Sequence, residues 1–184
     1  TRLSFVLDGH LWKMHPSGFH LTSLMLHIIN TIVCFAVCRA MLGGVWKAFL
    51  VAAIFAIHPL HTESVCWVND RNDLVCGLFW LLAMSAYLSY CRTLGFGKYL
   101  LLTVLMSLSV MSKPQAATFP FAMLLLDLWP LSRWKASRWK TNNTEYNEEP
   151  ARFTQRSFIG LCMEKLPLIV LCVFFMGLAW FFKS

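Results

Sequence analysis

Residues 58 to 74 read HPLHTESVCWVNDRNDL and gather His58, His61, Glu63, Asp70, Arg71 and Asp73 between long apolar runs. Imidazole and carboxylate groups suit acid–base work or a divalent metal cation, and a guanidinium suits a bidentate anion such as phosphate. The HxxHxE spacing is not the HExxH of zinc enzymes, and no third histidine follows it. Glu63 is placed either to orient His61 or to help hold a divalent cation. The bland alternative is a loop that caps two helices, with Arg71 paired to Glu63, Asp70 or Asp73. A second cation, Lys113, stands in the short turn Ser112-Lys113-Pro114-Gln115. The amphipathic stretch DGHLWKMHPSGFHLTSLMLHIIN adds Asp8, His10, His15 and His20. Together these groups describe an acidic and basic cluster at a lipid boundary, with Arg71 and Lys113 expected to converge on an anion.

Such a cluster needs elements to carry it, and composition says what they are. The chain has 184 residues, is 58% hydrophobic and only 14% charged. Its mean hydropathy of +0.58 exceeds what a water-soluble domain of this length carries. Many segments are apolar all the way round, so lipid rather than water is the natural solvent. The net charge of +7 does not argue for nucleic acid, because the basic residues flank the apolar segments instead of forming one patch. Seven cysteines, at 34, 38, 66, 76, 91, 162 and 172, form no CxxC pair and read as small core residues.

Six apolar segments, 19–41, 45–57, 74–90, 99–111, 116–131 and 166–182, predict an all-α polytopic membrane bundle. A span needs roughly 20 apolar residues, so the second, fourth and fifth are short, and the fifth fits a re-entrant segment. The chain divides into an outward amphipathic segment (1–18), membrane helices (19–131) with outward loops 58–73 and 112–116, a cytoplasmic basic and polar loop (132–165), and a final helix (166–184). Alternating the loops puts eleven Lys and Arg on one side and five on the other, which makes the richer side cytoplasmic. The run SRWKASRWK suits a helix at an anionic membrane surface, and the acceptor sequence Asn142-Asn143-Thr144 then faces the compartment in which it stays unmodified. Within the spans, His27 and Asn30 read as hydrogen-bonding glue and Asp127 as an interfacial cap. Both chain ends read as cut, which predicts a piece of a longer protein.

The stretches AIHPLHTESVCWVNDRNDLVCGLFWLLAMSAYLSY and SVMSKPQAATFPFAMLLLDLWPLSRW resemble the membrane half of bacterial proteins related to the transmembrane and tetratricopeptide-repeat O-mannosyltransferases. These are glycosyltransferases of the GT-C superfamily. The resemblance is specific at HPxHxES, WVxxRxD, SKP and LLLDLWPL, and SFVLDGHLWKMHPSGFHLTSLMLHIINT is similar to the stretch entering their second span. Where bacterial relatives often read E-R-K-D, this chain has Asp70-Arg71-Asn72-Asp73.

The resemblance implies inverting transfer of a sugar from a polyprenyl-phosphate carrier to a protein hydroxyl or glycan on the periplasmic or lumenal face. The host membrane is then the bacterial inner membrane or the endoplasmic reticulum. An acidic pair in a loop ahead of Thr1 and repeats after the last span are expected in such relatives, and without them the piece is inactive alone. Arg71 and Lys113 become candidate donor-phosphate ligands, Glu63 and His61 candidate catalytic groups, and His58, Asp70 and Asp73 supporting residues, with a divalent metal cation as candidate cofactor. The competing reading is a transporter or flippase-like protein without chemistry. It needs polar residues along several spans, whose interiors hold little beyond His27, Asn30 and scattered Ser and Thr.

Overall fold

The computed structural model describes residues 6, 8–10, 12, 15–67, 70–134, 153, 154 and 156–181. The basic tryptophan run from Lys135 onward and the Asn142 acceptor sequence lie outside the described residues. Among the described residues seven α-helices have defined bounds: α1 Pro16–Leu42, α2 Val45–Ile57, α3 Leu60–Cys66, α4 Arg71–Thr93, α5 Phe96–Ser112, α6 Phe119–Leu128 and α7 Phe158–Phe181. A 3-10 turn, Pro114–Thr118, leads into α6.

Local chemistry explains the boundaries. Pro16 opens α1, where its missing N–H is no loss and its fixed φ is already helical. Gly43 closes it at φ 72°, a left-handed position that a side chain resists, and its N–H returns to the Arg39 carbonyl. The two-glycine turn then sends α2 back along α1. Pro59 caps α3, and α2 and α3 meet at a bend of 57°. Trp129-Pro130, a cis peptide, follows the end of α6.

Helix α4 is the centre of the bundle and packs between α1 and α5. Its Met84, Tyr87 and Leu88 share one buried cluster with Leu102, Met106 and Val110 of α5. The outer faces are apolar instead of charged: Trp46 and Ile57 of α2 are 83% and 82% exposed. A row of that kind is stable against acyl chains and not against water. Among the described residues three helices are long and apolar enough to cross a membrane, or four if the bent α2–α3 pair is one span. The all-α membrane bundle expected from hydropathy is the observed fold. Between helices, Asn30 Nδ2 donates to the Leu74 carbonyl at 2.9 Å, His27 Nε2 to that of Ala56 at 3.1 Å, and Ser109 Oγ to that of Cys76 at 3.0 Å.

The structure gives these segments their actual lengths and partners. The ten-residue α6, roughly 15 Å long at 1.5 Å per residue, does not cross a bilayer by itself, so the fifth segment is a broken half-length element. The last helix starts at Phe158, eight residues ahead of the expected 166, and so takes in Glu164 and Lys165. These charges are tolerated inside a helix because they are neutralised there. Lys165 Nζ pairs with Asp127 Oδ2 and, at 3.2 Å, with Glu164 Oε1. Arg133 Nη1 bonds Glu164 Oε1 at 3.1 Å and Asp127 Oδ1 at 3.2 Å, and Tyr87 donates its hydroxyl hydrogen to Asp127. Asp127, Arg133 and Lys165 are fully buried, so Asp127 is the hub of an enclosed ion network instead of an interfacial cap, and neither Arg133, in the segment after α6, nor Lys165, inside α7, is a solvated cation.

Removing one member of such a network strands the others in a medium that cannot solvate them. Replacing Asp127 with Asn should therefore cost about 3–5 kcal/mol in unfolding measured in detergent micelles. A loss below about 1 kcal/mol would show that water reaches these charges.

Candidate functional site

The N-terminal ends of α1 and α4 and the C-terminal ends of α2 and α5 share one end of the bundle, opposite the Asp127 network. Most of the outward polar residues picked from sequence collect there, and the structure sorts them into enclosed and open groups.

Arg71, the first residue of α4, is fully buried. Its Nη1 pairs with Asp8 Oδ2, its Nη2 donates to the Phe19 carbonyl at 2.8 Å, and its Nε donates to Ser23 Oγ at 3.3 Å. The guanidinium also lies 5.8 Å from the centroid of the Phe19 ring. Asp8 is further held by the Thr22 hydroxyl at 3.1 Å. Neither an open anion grip nor pairing with Glu63, Asp70 or Asp73 is what the structure shows. A guanidinium sunk this deep needs a counter-charge at the same depth, and Asp8 from the N-terminal stretch supplies it. Arg71 thus ties that stretch to α1 and α4.

Lys113 is different. It caps the end of α5 at the break before the 3-10 turn, and its Nζ donates to Asp73 Oδ1 at 2.6 Å. Both side chains keep more than a third of their surface open, at 35% and 39%. The pair stands in the wall of a cavity of about 720 Å³ that extends between α1, α4 and α6, past Cys34, Val37, Trp80, Met84 and Leu125. Asp73 and Lys113 are its only charged lining residues among the described residues, so the cavity is an apolar slot with one ion pair in its wall. Such a shape matches an amphiphile with a long apolar tail and a charged head.

His58 and His61 lie on the short α3 side, with ring centroids 6.1 Å apart, and His61 also faces Phe55 at 4.3 Å. Glu63 is exposed and its carboxylate has no partner among the described residues, so it does not orient His61. Asp70 is the N-cap of α4 without a side-chain capping bond. His15 caps α1 without one and is exposed, as are His10 and His20. Among the described residues no three His, Cys, Asp or Glu side chains are gathered to hold a metal ion. Sequence reasoning missed Asp8 as the partner of Arg71 and missed the Asp127 network. The signals were faint: a lone aspartate in an amphipathic stretch, and an Asp-to-Arg spacing of six across Trp129-Pro130.

The two cations should separate in stability measurements. Arg71→Ala strands Asp8 and should cost about 3–5 kcal/mol in micelles, whereas Lys113→Ala, at a part-open pair, should cost less than about 1 kcal/mol. Equal costs would contradict the division into closed and open charges.

Comparison with known proteins agrees with the membrane architecture. The family model for dolichyl-phosphate-mannose-protein mannosyltransferase matches residues 13–143. Protein O-mannosyl-transferase TMTC2 of Mus musculus is 34% identical over 94 residues, 51% of this chain and 11% of the relative. Protein O-mannosyl-transferase Tmtc1 of Drosophila melanogaster is 34% identical over 126 residues, 68% of this chain and 14% of the relative. Protein O-mannosyl-transferase TMTC1 of Homo sapiens is 38% identical over 96 residues, 52% of this chain and 10% of the relative. The matched stretch is thus a small part of each relative's own length. No solved structure matches the chain. The chain is an integral membrane protein, and with more than half of it covered by the family model it belongs to the dolichyl-phosphate-mannose-protein mannosyltransferase family.

Proposed function

We propose that this chain is part of a membrane glycosyltransferase that moves a sugar from a polyprenyl-phosphate carrier to a hydroxyl group on the periplasmic or lumenal side. The observation that supports this reading is the apolar cavity with the Lys113–Asp73 pair in its wall. A polyprenyl tail lies along α1, α4 and α6, and its phosphate reaches Lys113.

When the bond from the sugar to the phosphate breaks, the leaving phosphate gains negative charge. A cation already in place lowers that barrier because it need not reorganise during the reaction. Asp73 holds Lys113 in place in the cavity wall until the phosphate competes for it. Arg71 does not touch the phosphate in this reading; it fixes the start of α4, and therefore Asp73 two residues later. Glu63 and His61, on the outward α3, are the groups left for the acceptor side. A divalent cation, if the full-length protein uses one, takes part of its ligand set from Glu63.

The test is sugar transfer by the full-length protein in liposomes supplied with polyprenyl-phosphate mannose. Lys113→Ala should lower transfer by about 10²–10³-fold with insertion and stability intact, and Lys113→Arg should restore part of it. Unchanged transfer in Lys113→Ala would remove the phosphate assignment.

A further inference from the structure

A second pocket, of about 520 Å³, lies at the end of the bundle that holds the Asp127 network, away from Lys113. Tyr90 of α4, Phe96 and Tyr99 of α5, Met163 and Glu164 of α7, and Arg156 just ahead of α7 line it. It shares no lining residue with the large apolar cavity. Helix α4 ends at Thr93, α5 begins at Phe96 and α7 at Phe158, so the pocket sits where three helices leave the apolar layer. Phe96 and Met163 are exposed, which joins its walls to the lipid-facing surface.

Two polar groups in this pocket are not used by the fold. Tyr90 is 8% exposed, and its hydroxyl makes no hydrogen bond among the described residues, whereas Tyr99 beside it already donates to the Glu164 carbonyl at 2.9 Å. A buried hydroxyl without a partner marks a place for a ligand atom. Arg156 is the other group. Its N–H is fixed to the Arg133 carbonyl at 2.8 Å, but its side chain is 39% open and its Nε stays 3.8 Å from Glu164 Oε2, too far for a hydrogen bond. Glu164 is neutralised without it, by Arg133 at 3.1 and 3.3 Å and by Lys165 at 3.2 Å. Asp127 and Glu164 thus already face two cations, and Arg156 adds a third positive charge to the two carboxylates. Arg92, over the Phe153 ring at 5.8 Å, and Lys98, on the Ser89 carbonyl at 3.4 Å, stand at the same end and pair with no carboxylate among the described residues. The stretch between Trp134 and Phe153, outside the described residues, has four Lys or Arg against three Glu and adds no net negative charge.

We propose that this pocket binds the phosphate of an anionic phospholipid, with Arg156 as its counter-charge and the Tyr90 hydroxyl as a hydrogen-bond donor. A phosphodiester only accepts, and a guanidinium and a phenol are both donors. Tyr90 is close enough to Arg156 to feel its charge, which puts the two donors in one neighbourhood. The exposed apolar walls take the acyl chains, so the anion arrives on a lipid and not from water. A zwitterionic headgroup brings an ammonium of its own, which the surplus cations repel. Basic pockets between membrane helices suit anionic headgroups for this reason.

The experiment titrates the full-length protein in detergent micelles with phosphatidylglycerol or with phosphatidylcholine of the same acyl chains, and counts bound lipid by native mass spectrometry. The wild type should bind the first phosphatidylglycerol about 10-fold more tightly than phosphatidylcholine. Arg156→Ala should cut that preference about 5-fold, and Arg156→Lys should keep most of it. Tyr90→Phe should also cut it about 5-fold; it removes a hydroxyl without a partner, so a loss there is not a loss of fold. Arg92→Ala, outside the pocket, should change the preference least. Equal binding of the two lipids by the wild type, an undiminished preference in Arg156→Ala or in Tyr90→Phe, or an equal loss in Arg92→Ala overturns the site. Displacement of phosphatidylglycerol by the same concentration of glycerol phosphate makes a soluble anion the occupant and overturns the lipid.

Discussion

Lipid cannot solvate a charge, so every ionised group inside this bundle has to be neutralised by another part of the chain. Asp127 and Glu164 face Arg133 and Lys165 at one end, with Tyr87 closing the hydrogen bonds, and Asp8 faces Arg71 at the other. These pairings join segments distant in sequence, from the N-terminal stretch to α4 and from α6 to α7. They also set helix boundaries, since α7 can begin at Phe158 only because the charges it carries inward find partners.

The same constraint sorts the cations by role. A guanidinium locked to a carboxylate, a hydroxyl and a carbonyl has little freedom to meet a ligand, whereas a part-exposed ammonium can exchange its partner. The cavity between α1, α4 and α6 meets the second kind of charge and not the first. An apolar slot with one ion pair in its wall is the form that the proposed lipid-phosphate donor requires.

Polar groups that are not ionised have a quieter part. Asn30 and Ser109 bond backbone carbonyls of α4 across the interface, which holds α1 and α5 to it without any charge to neutralise. His27 does likewise to α2 through one nitrogen, and its other nitrogen is left over. A buried acceptor without a donor is costly, and among the described residues His27 Nδ1 shares that condition with Asn30 Oδ1.

Much was legible in the residues themselves. Apolar runs bounded by Gly43-Gly44, Pro59 and Leu94-Gly95 determined that the chain is a set of membrane helices, and where most of them turn, because hydropathy and turn chemistry are local. HPLHTES and SKP marked the end of the bundle where His58, His61 and Lys113 gather, since these polar runs interrupt the apolar segments. What the sequence could not determine was which charge meets which. Arg71 chose Asp8, 63 positions away, over the nearer Glu63, Asp70 and Asp73, and Asp127 and Lys165 met across 38. Only tertiary packing decided those pairings, because the energy of an ion pair depends on distance in space and on the depth of both partners, and neither is encoded in their separation along the chain.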